Sequence, residues 1–289
     1  MRTRKAFRLQ LANRTLQLGE RTVVMGVLNV TPDSFSDGGR FLAPARAVEH
    51  ALSLEAAGAH LIDIGAESTR PGSLPVSATE EIARLLPVLT ALRGKLRIPI
   101  SVDTRKAVVA EMALAAGAEL LNDVSGLRNE PRLAEVAARA RAPLILMHSR
   151  RTPQTMQKGP FARDVVKDVL SGLRHSIAIA RRAGVRKSQI VIDPGIGFGK
   201  TFRQNYQLLA ALPALAKLGF PVLVGTSRKG FLAAPGGEKG PRPADRIWGT
   251  AATVTASILN GAHIVRVHDV AAMAEVARVA DDLLHLRPR

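Results

Sequence analysis

Short runs rich in β-branched and other apolar residues recur along this chain at regular intervals. Each is followed by a longer Ala/Leu/Arg-rich stretch with helical spacing. The runs fall at 23–29, 61–65, 98–103, 120–124, 143–147, 190–193, 221–226 and 263–267. The helical stretches fall near 44–57, 77–93, 105–117, 131–140, 161–183, 203–218, 245–260 and 270–285. Strands that alternate with helices build parallel sheets, because each helix returns the chain to the edge where the strand began. Eight such units without a break in composition predict an α/β fold, a (β/α)8 TIM barrel forming one domain over residues 1–289. A doubly wound open sheet is the rival. Gly58, Gly117, Gly184 and Gly219 follow helical stretches, where a left-handed C-cap is wanted. Ahead of the first unit, Phe7, Leu9 and Leu11 alternate, Asn13-Arg14 turns the chain, and Leu16 and Leu18 alternate again. The segment 6–19, within residues 1–20, is therefore expected to be a hairpin plugging the barrel's lower mouth.

Two of the strands run straight into polar, Gly-containing loops. Val23–Asn29 opens into Val30-Thr-Pro-Asp-Ser-Phe-Ser-Asp-Gly-Gly39, and Leu61–Gly65 opens into Ala66-Glu-Ser-Thr-Arg-Pro-Gly-Ser73. Long connections of this kind are typically lids or binding loops on a rigid scaffold. Two of them imply two lids over one site.

The charge balance points to anionic partners. The 41 basic and 24 acidic side chains leave a net charge of +17, which favours nucleic acid or phosphorylated small molecules. Aromatic residues make up only 3% of the chain, too few for base-stacking platforms. Most of the excess therefore reads as solvated helix faces with a local focus on an anionic substrate. The absence of cysteine excludes disulfides and thiolate metal sites and suits a reducing cytosol. No apolar run reaches the length of a membrane span, and no apolar block follows the basic start to make a secretory signal.

Side chains two apart on a strand share a face. On that rule Ser101 and Asp103 share one face, as do Val191 and Asp193, Arg266 and His268, and Asp63 with Gly65, Glu67 and Thr69. The intervening apolar residues must meet the helix shell, so the polar set points into the barrel. It converges near the C-terminal strand ends, where barrel enzymes carry their chemistry. Asp63 lies deepest and has an equally good structural reading, since a buried carboxylate needs a partner.

One motif is misleading. Gly195-Ile-Gly-Phe-Gly-Lys-Thr201 imitates a phosphate-binding loop, but Pro194 occupies the first Gly position that such a loop requires. Histidines 50, 60, 175, 263 and 285 read as decoration of helices or turns. No two His or carboxylates show the spacing of a metal cage, so any metal would be held loosely with the help of substrate.

Taken together, these segments resemble the dihydropteroate synthases, over nearly the whole chain and in family order. The match includes Asn29-Val-Thr-Pro-Asp-Ser-Phe-Ser-Asp-Gly-Gly39, Asp63-Ile-Gly-Ala-Glu-Ser-Thr-Arg-Pro-Gly72, Ser101-Val-Asp-Thr-Arg-Lys106 and Asn122-Asp-Val-Ser-Gly126. It continues through Leu146-Met-His148, Asp193-Pro-Gly-Ile-Gly-Phe-Gly-Lys200, Gly225-Thr-Ser-Arg-Lys229 and Val265-Arg-Val-His-Asp269. The reaction this resemblance implies joins 6-hydroxymethyl-7,8-dihydropterin pyrophosphate to p-aminobenzoate and releases pyrophosphate.

By the same resemblance Asp193, Asn122 and Lys229 would bind the pterin edge, Asp103 would sit against the second ring and Met147 would pack on its face. Asn29, Arg266 and His268 would hold the diphosphate, with Mg2+ as the implied cofactor and Asn29 as its ligand. Phe35, Thr69, Arg70, Pro71, Phe198 and Ser227 would hold the aminobenzoate. The implied catalytic set is Asp33, Arg70, Asp103, Lys229 and Arg266. A cytoplasmic homodimer acting on small molecules, with no nucleic-acid or membrane partner, is the expectation. The chain departs from the family after strand 143–147, where Ser149-Arg150-Arg151 replaces the usual Met-containing continuation. A pterin-binding, cobalamin-dependent methyltransferase domain and a non-catalytic paralogue are the alternatives.

Overall fold

The computed structural model describes residues 4–31, 39–68, 72–152, 154–233 and 242–286, with side chains in the first helix from residue 44 onward. A hairpin of β1 (Phe7–Gln10) and β2 (Thr15–Leu18) leads the chain. The parallel strands are β3 (Val23–Asn29), β4 (Leu61–Gly65), β5 (Ile100–Asp103), β6 (Leu120–Asp123), β7 (Leu144–Met147), β8 (Ile190–Asp193), β9 (Leu223–Val224) and β10 (Ile264–Val267). Between and after them come α1 (Gly39–Ala56), α2 (Ala78–Leu92), α3 (Ala107–Ala115), α4 (Leu133–Ala140) and α5 (Val165–Arg182). They are followed by α6 (Phe202–Ala210), α7 (Leu212–Ala216), α8 (Ile247–Leu259) and α9 (Val270–His285).

The sheet runs β8-β7-β6-β5-β4-β3-β10-β9. A parallel bridge between Ile192 and Val222 joins its edges, with the Ile192 N–H donating to the Pro221 carbonyl at 3.0 Å. The expected (β/α)8 barrel is present and nearly closed. Its thinnest seam lies between β8 and β9, because Pro221 has no N–H and the ladder cannot start there. That shortens β9 to Leu223–Val224 where 221–226 was predicted. The predicted helix 203–218 is broken at Ala211 for a related reason. Pro213 opens α7, and a proline inside a continuous helix would clash with the preceding turn.

Strand parity divides the interior in two. Outward residues such as Ile62, Ile64, Val102, Leu144, Leu146, Ile190, Ile192, Val265 and Val267 pack into the helix shell. Inward residues at the strand starts, Val23, Met25, Leu61, Leu120, Ile145, Val191, Leu223 and Ile264, form a separate apolar layer with Leu9, Leu11 and Leu18 of the hairpin segment. The hairpin therefore plugs the lower mouth as expected, and each buried Leu contributes about 1.5–3 kcal/mol. Arg4 fastens it. Its guanidinium donates to the Gly19 carbonyl (2.9 Å), the Ala262 carbonyl (2.8 Å), Thr22 Oγ1 (2.7 Å) and Asp281 Oδ1 (2.9 Å).

Two of the histidines read as decoration belong instead to this lower rim. His60 Nδ1 accepts from the Val24 N–H at 3.1 Å, and His263 Nδ1 accepts from the Val222 N–H at 3.2 Å. Each supplies an acceptor to a strand amide where the ladder begins, so His263 is buried rather than exposed. Among the described residues, no helix is long and apolar enough to cross a membrane.

Candidate active site

Above the apolar layer the inward residues become polar within one or two positions. Leu61 gives way to Asp63, Leu120 to Asn122, Val191 to Asp193, and Ile264 to Arg266. Register brings these strand ends together: Asp63 lies opposite Ser101, Asp103 opposite Asn122, and Met147 opposite Asp193. This polar mouth lies opposite the end that the hairpin plugs.

At the centre, Arg266 Nε donates to Asp63 Oδ2 at 2.7 Å and Nη2 to Asp103 Oδ2 at 3.3 Å. Asn122 Nδ2 donates to the same Asp63 oxygen at 2.9 Å. Asp63, the deepest candidate, thus orients Arg266 and Asn122 and leaves the Asn122 carbonyl oxygen for other work. Asp63 Oδ1 and Ser101 Oγ are buried without a hydrogen-bond partner among the described residues. Burial, with the neighbouring Asp63 charge, pushes the Asp103 carboxyl well above the usual carboxylate range, against the pull of Arg266.

A second centre joins the ends of β8 and β9. Asp193 Oδ1 accepts from the Gly195 N–H at 2.6 Å. Burial raises the Asp193 carboxyl, and nearby Lys229 opposes that rise. Lys229 Nζ donates to the Ile196 carbonyl and stands 4.6 Å from the centroid of the Phe198 ring, a cation–π geometry. Burial brings its amine down to about 8, partly offset by Asp193. A methyl on Gly197 would lie 2.9 Å from the Lys229 Cδ, so the bare backbone there makes room for the lysine.

A third corner lies at the end of β10. Ser227 Oγ accepts from the His268 N–H at 3.1 Å and lies 3.0 Å from His268 Nδ1. Arg228, held at φ +60°, donates to both oxygens of Asp269, the cap residue of α9. Asn29 closes this side at the end of β3, opposite Gly65. A helix N-terminus beside Ser, His and Asn donors suits an anion.

The structure therefore brings together Asn29, Asp103, Asn122, Met147, Asp193, Phe198, Ser227, Lys229, Arg266 and His268 around one mouth. Asp33, Phe35, Thr69, Arg70 and Pro71 lie outside the described residues. The base of the second loop is described. Glu67 there pairs with Arg105 at 2.5 Å and Lys106 at 2.6 Å, and Lys106 reaches the buried Glu81 at 2.5 Å. Sequence reading missed this clamp, as it missed Arg228–Asp269; the charged residues were visible, their partners were not. The unusual Ser149-Arg150-Arg151 segment borders a cavity of about 250 Å3 next to Phe198 and Arg128. Arg150 pairs there with Asp168 at 3.3 Å, and Arg151 takes a left-handed φ of +65°.

Sequence and fold place this chain among known proteins. The profile of the family described as pterin binding enzyme matches residues 25–268. The dihydropteroate synthase of Synechocystis sp. is 51% identical over 265 residues, covering 92% of this chain and 91% of that protein. The solved structure of Xanthomonas albilineans dihydropteroate synthase with 4-aminobenzoic acid is 42% identical, with a TM-score of 0.89 over 98% of this chain and 100% of that one. The same enzyme in complex with 7,8-dihydropteroate is 41% identical at a TM-score of 0.85, covering 97% and 100%.

Proposed function

The chain belongs to the dihydropteroate synthase family of pterin-binding enzymes, and on that footing we propose that it condenses 6-hydroxymethyl-7,8-dihydropterin pyrophosphate with p-aminobenzoate. The observation that carries this reading is the switch of the barrel's inward face from Leu, Ile and Val to Asp63, Asp103, Asn122, Asp193 and Arg266 at the open end only.

In this reading the pterin lies edge-on to Asp193, Asn122 and Lys229. The Asp193 oxygen not taken by Gly195 accepts from the ring N–H and exocyclic amine, and the ammonium of Lys229 donates to the oxo group. Met147 packs on the ring face. Asp103 lies against the second ring, where positive charge develops as the C–O bond lengthens; that charge favours the ionised carboxylate which burial disfavours in the free protein, and the carboxylate in turn stabilises it. The bonding pair leaves with the diphosphate. The aminobenzoate nitrogen then forms the C–N bond and gives up one proton. An aromatic amine is neutral near pH 7, so no strong base is needed. Phe198 and Ser227 would hold its ring, with Phe35, Thr69, Arg70 and Pro71 closing over it and Asp33 and Arg70 assisting at the diphosphate.

Asn29, His268 and Arg266 would receive the departing diphosphate. Among the described residues no three His, Asp, Glu or Cys side chains form a metal site. Asn29 offers a single neutral amide oxygen. That donor set fits Mg2+, a hard cation that binds through substrate phosphates with few protein ligands. Asn29 would hold it jointly with the diphosphate, where the ion would neutralise the leaving group. A homodimer through the outer helices is part of the reading. Its support is the exposure of Phe202 and Tyr206 on α6 and of Trp248, 82% exposed, on the adjacent α8.

The test is pyrophosphate release measured with both substrates, with each alone, and with a sulfonamide competing against p-aminobenzoate. Release that requires both and falls with the sulfonamide is expected. Release from the pterin substrate alone at the same rate would overturn the reading.

A further inference from the structure

Behind Phe198 lies a buried amine that touches none of the reacting groups. Lys200 is 3% exposed. Its Nζ donates to the Phe198 carbonyl at 2.9 Å and the His148 carbonyl at 3.2 Å, and lies 3.2 Å from His148 Nδ1. An ammonium has three protons and here meets three acceptors. This pairing assigns the lone pair to His148 Nδ1 and the imidazole proton to Nε2, which lies 3.4 Å from Asp168 Oδ2 on α5. Burial keeps the His148 ring neutral, reinforced by Lys200, Arg128 and Arg150. Burial also brings the Lys200 amine down to about 7, with Asp193 and Asp168 pulling up and Lys229 and Arg128 pulling down.

The backbone is shaped around this group. A methyl on Gly172 of α5 would lie 2.5 Å from His148 Cδ2, and one on Gly199, at φ +67°, would lie 2.7 Å from Arg150 Cβ. The loops after β7 and β8 are thus dovetailed, and Lys200 is the bolt between them. What it holds is the segment 196–199, whose Ile196 carbonyl and Phe198 ring cradle Lys229. No ion pair joins Lys229 to Asp193 among the described residues, although the buried Asp193 and the half-buried Lys229 stand at one mouth.

Resting on the function proposed above, we infer that Lys200, backed by His148, is a positioning residue for pterin binding. It fixes the 196–199 segment so that Lys229 is held off Asp193, and the Asp193 carboxylate stays available to the ligand. Without the bolt the Lys229 ammonium settles on Asp193, and the pterin must break that pair to bind.

The experiment is a double-mutant cycle. Affinity for the pterin pyrophosphate is measured by calorimetry on wild type, Lys200→Met, Lys229→Met and the double variant, with circular dichroism and thermal melting to establish that each is folded. Lys200→Met is expected to weaken affinity about tenfold, a coupling typical of residues in one hydrogen-bond network. The double variant should bind no worse than Lys229→Met alone, because Lys200 acts through Lys229. Gly172→Ala, which pushes on His148 and leaves both lysines in place, should weaken affinity in the same direction. Additive losses, or wild-type affinity in a folded Lys200→Met or Gly172→Ala protein, would overturn the inference. Failure of wild type to release pyrophosphate would instead fault the proposed reaction.

Discussion

Arg266 and Asp63 meet inside the barrel with 2.7 Å between Nε and Oδ2, although 203 positions separate them in the chain. Asp63 is fully buried, and its carboxylate also receives the Asn122 amide. Asp63→Asn removes the charge that Arg266 is paired with. The loss should be about 2 kcal/mol, less than for a wholly buried pair because the Arg266 side chain keeps 23% exposure. Urea denaturation measures it; an unshifted midpoint would mean that solvent compensates Arg266.

In the proposed reading Lys229 and Asp193 meet the same edge of the pterin. Lys229→Ala and Asp193→Asn should each weaken pterin affinity about 10- to 100-fold, as expected for one charged hydrogen bond of about 1.5–3 kcal/mol. Calorimetric titration decides it. Wild-type affinity in either folded variant would remove that residue from the pterin edge.

Pterin affinity should also depend on pH through Lys229. Burial brings its amine down to about 8, so the charged donor is present below that pH and is lost above it. The dissociation constant should be flat below pH 8 on this limb and rise by up to about tenfold per unit above it. Lys229→Met should abolish the rise. Titrations at several pH values check both curves.

The lower rim should be acid-sensitive. His263 Nδ1 accepts the Val222 N–H, so its proton sits on Nε2 and donates to the Lys5 carbonyl at 2.9 Å. A second proton would be forced against the Val222 amide, and burial brings the imidazole down to about 4. A histidine near 6.5 when unfolded and near 4 when folded binds protons more readily in the unfolded chain. Its contribution is therefore complete above pH 6.5 and is lost as pH falls toward 4, by about 3 kcal/mol at 1.4 kcal/mol per unit. Thermal melts from pH 7 to 4 should show this loss, and His263→Gln, whose amide can make both bonds without titrating, should flatten it.

Arg4 and Asp281 are both nearly fully buried where the hairpin meets α9. Arg4→Met leaves the Asp281 carboxylate without its cation, a change worth about 3–5 kcal/mol. Hydrogen exchange should then accelerate first at the amides of 7–18. Protection equal to wild type across the hairpin would show that apolar packing alone holds the plug.

The strand–helix alternation was legible because side-chain period is a local property: a residue two positions on returns to the same face whatever the rest of the chain does. That let Asp103, Asp193 and Arg266 be assigned inward, and it separated them from Val102, Ile192 and Val265. Motif resemblance added the grouping of Asn122, Lys229 and His268. The break at Ala211 and the short β9 were missed although their cause, a proline, stood in plain view. Whether a helix restarts after a proline, or a strand yields to one, depends on what its neighbours offer. The false phosphate-loop motif hid Lys200, whose partners belong to another strand's loop.

Sequence alone determined the fold class, the plugged end and the face on which polar residues lie, because sterics and hydrophobic burial act over a few residues at a time. Only the tertiary structure decided that Asp63 holds Arg266, that His263 completes a strand ladder and that Lys200 bolts two loops together. Those pairings depend on the circular order and register of the strands, which bring residues from opposite ends of the chain within hydrogen-bond reach.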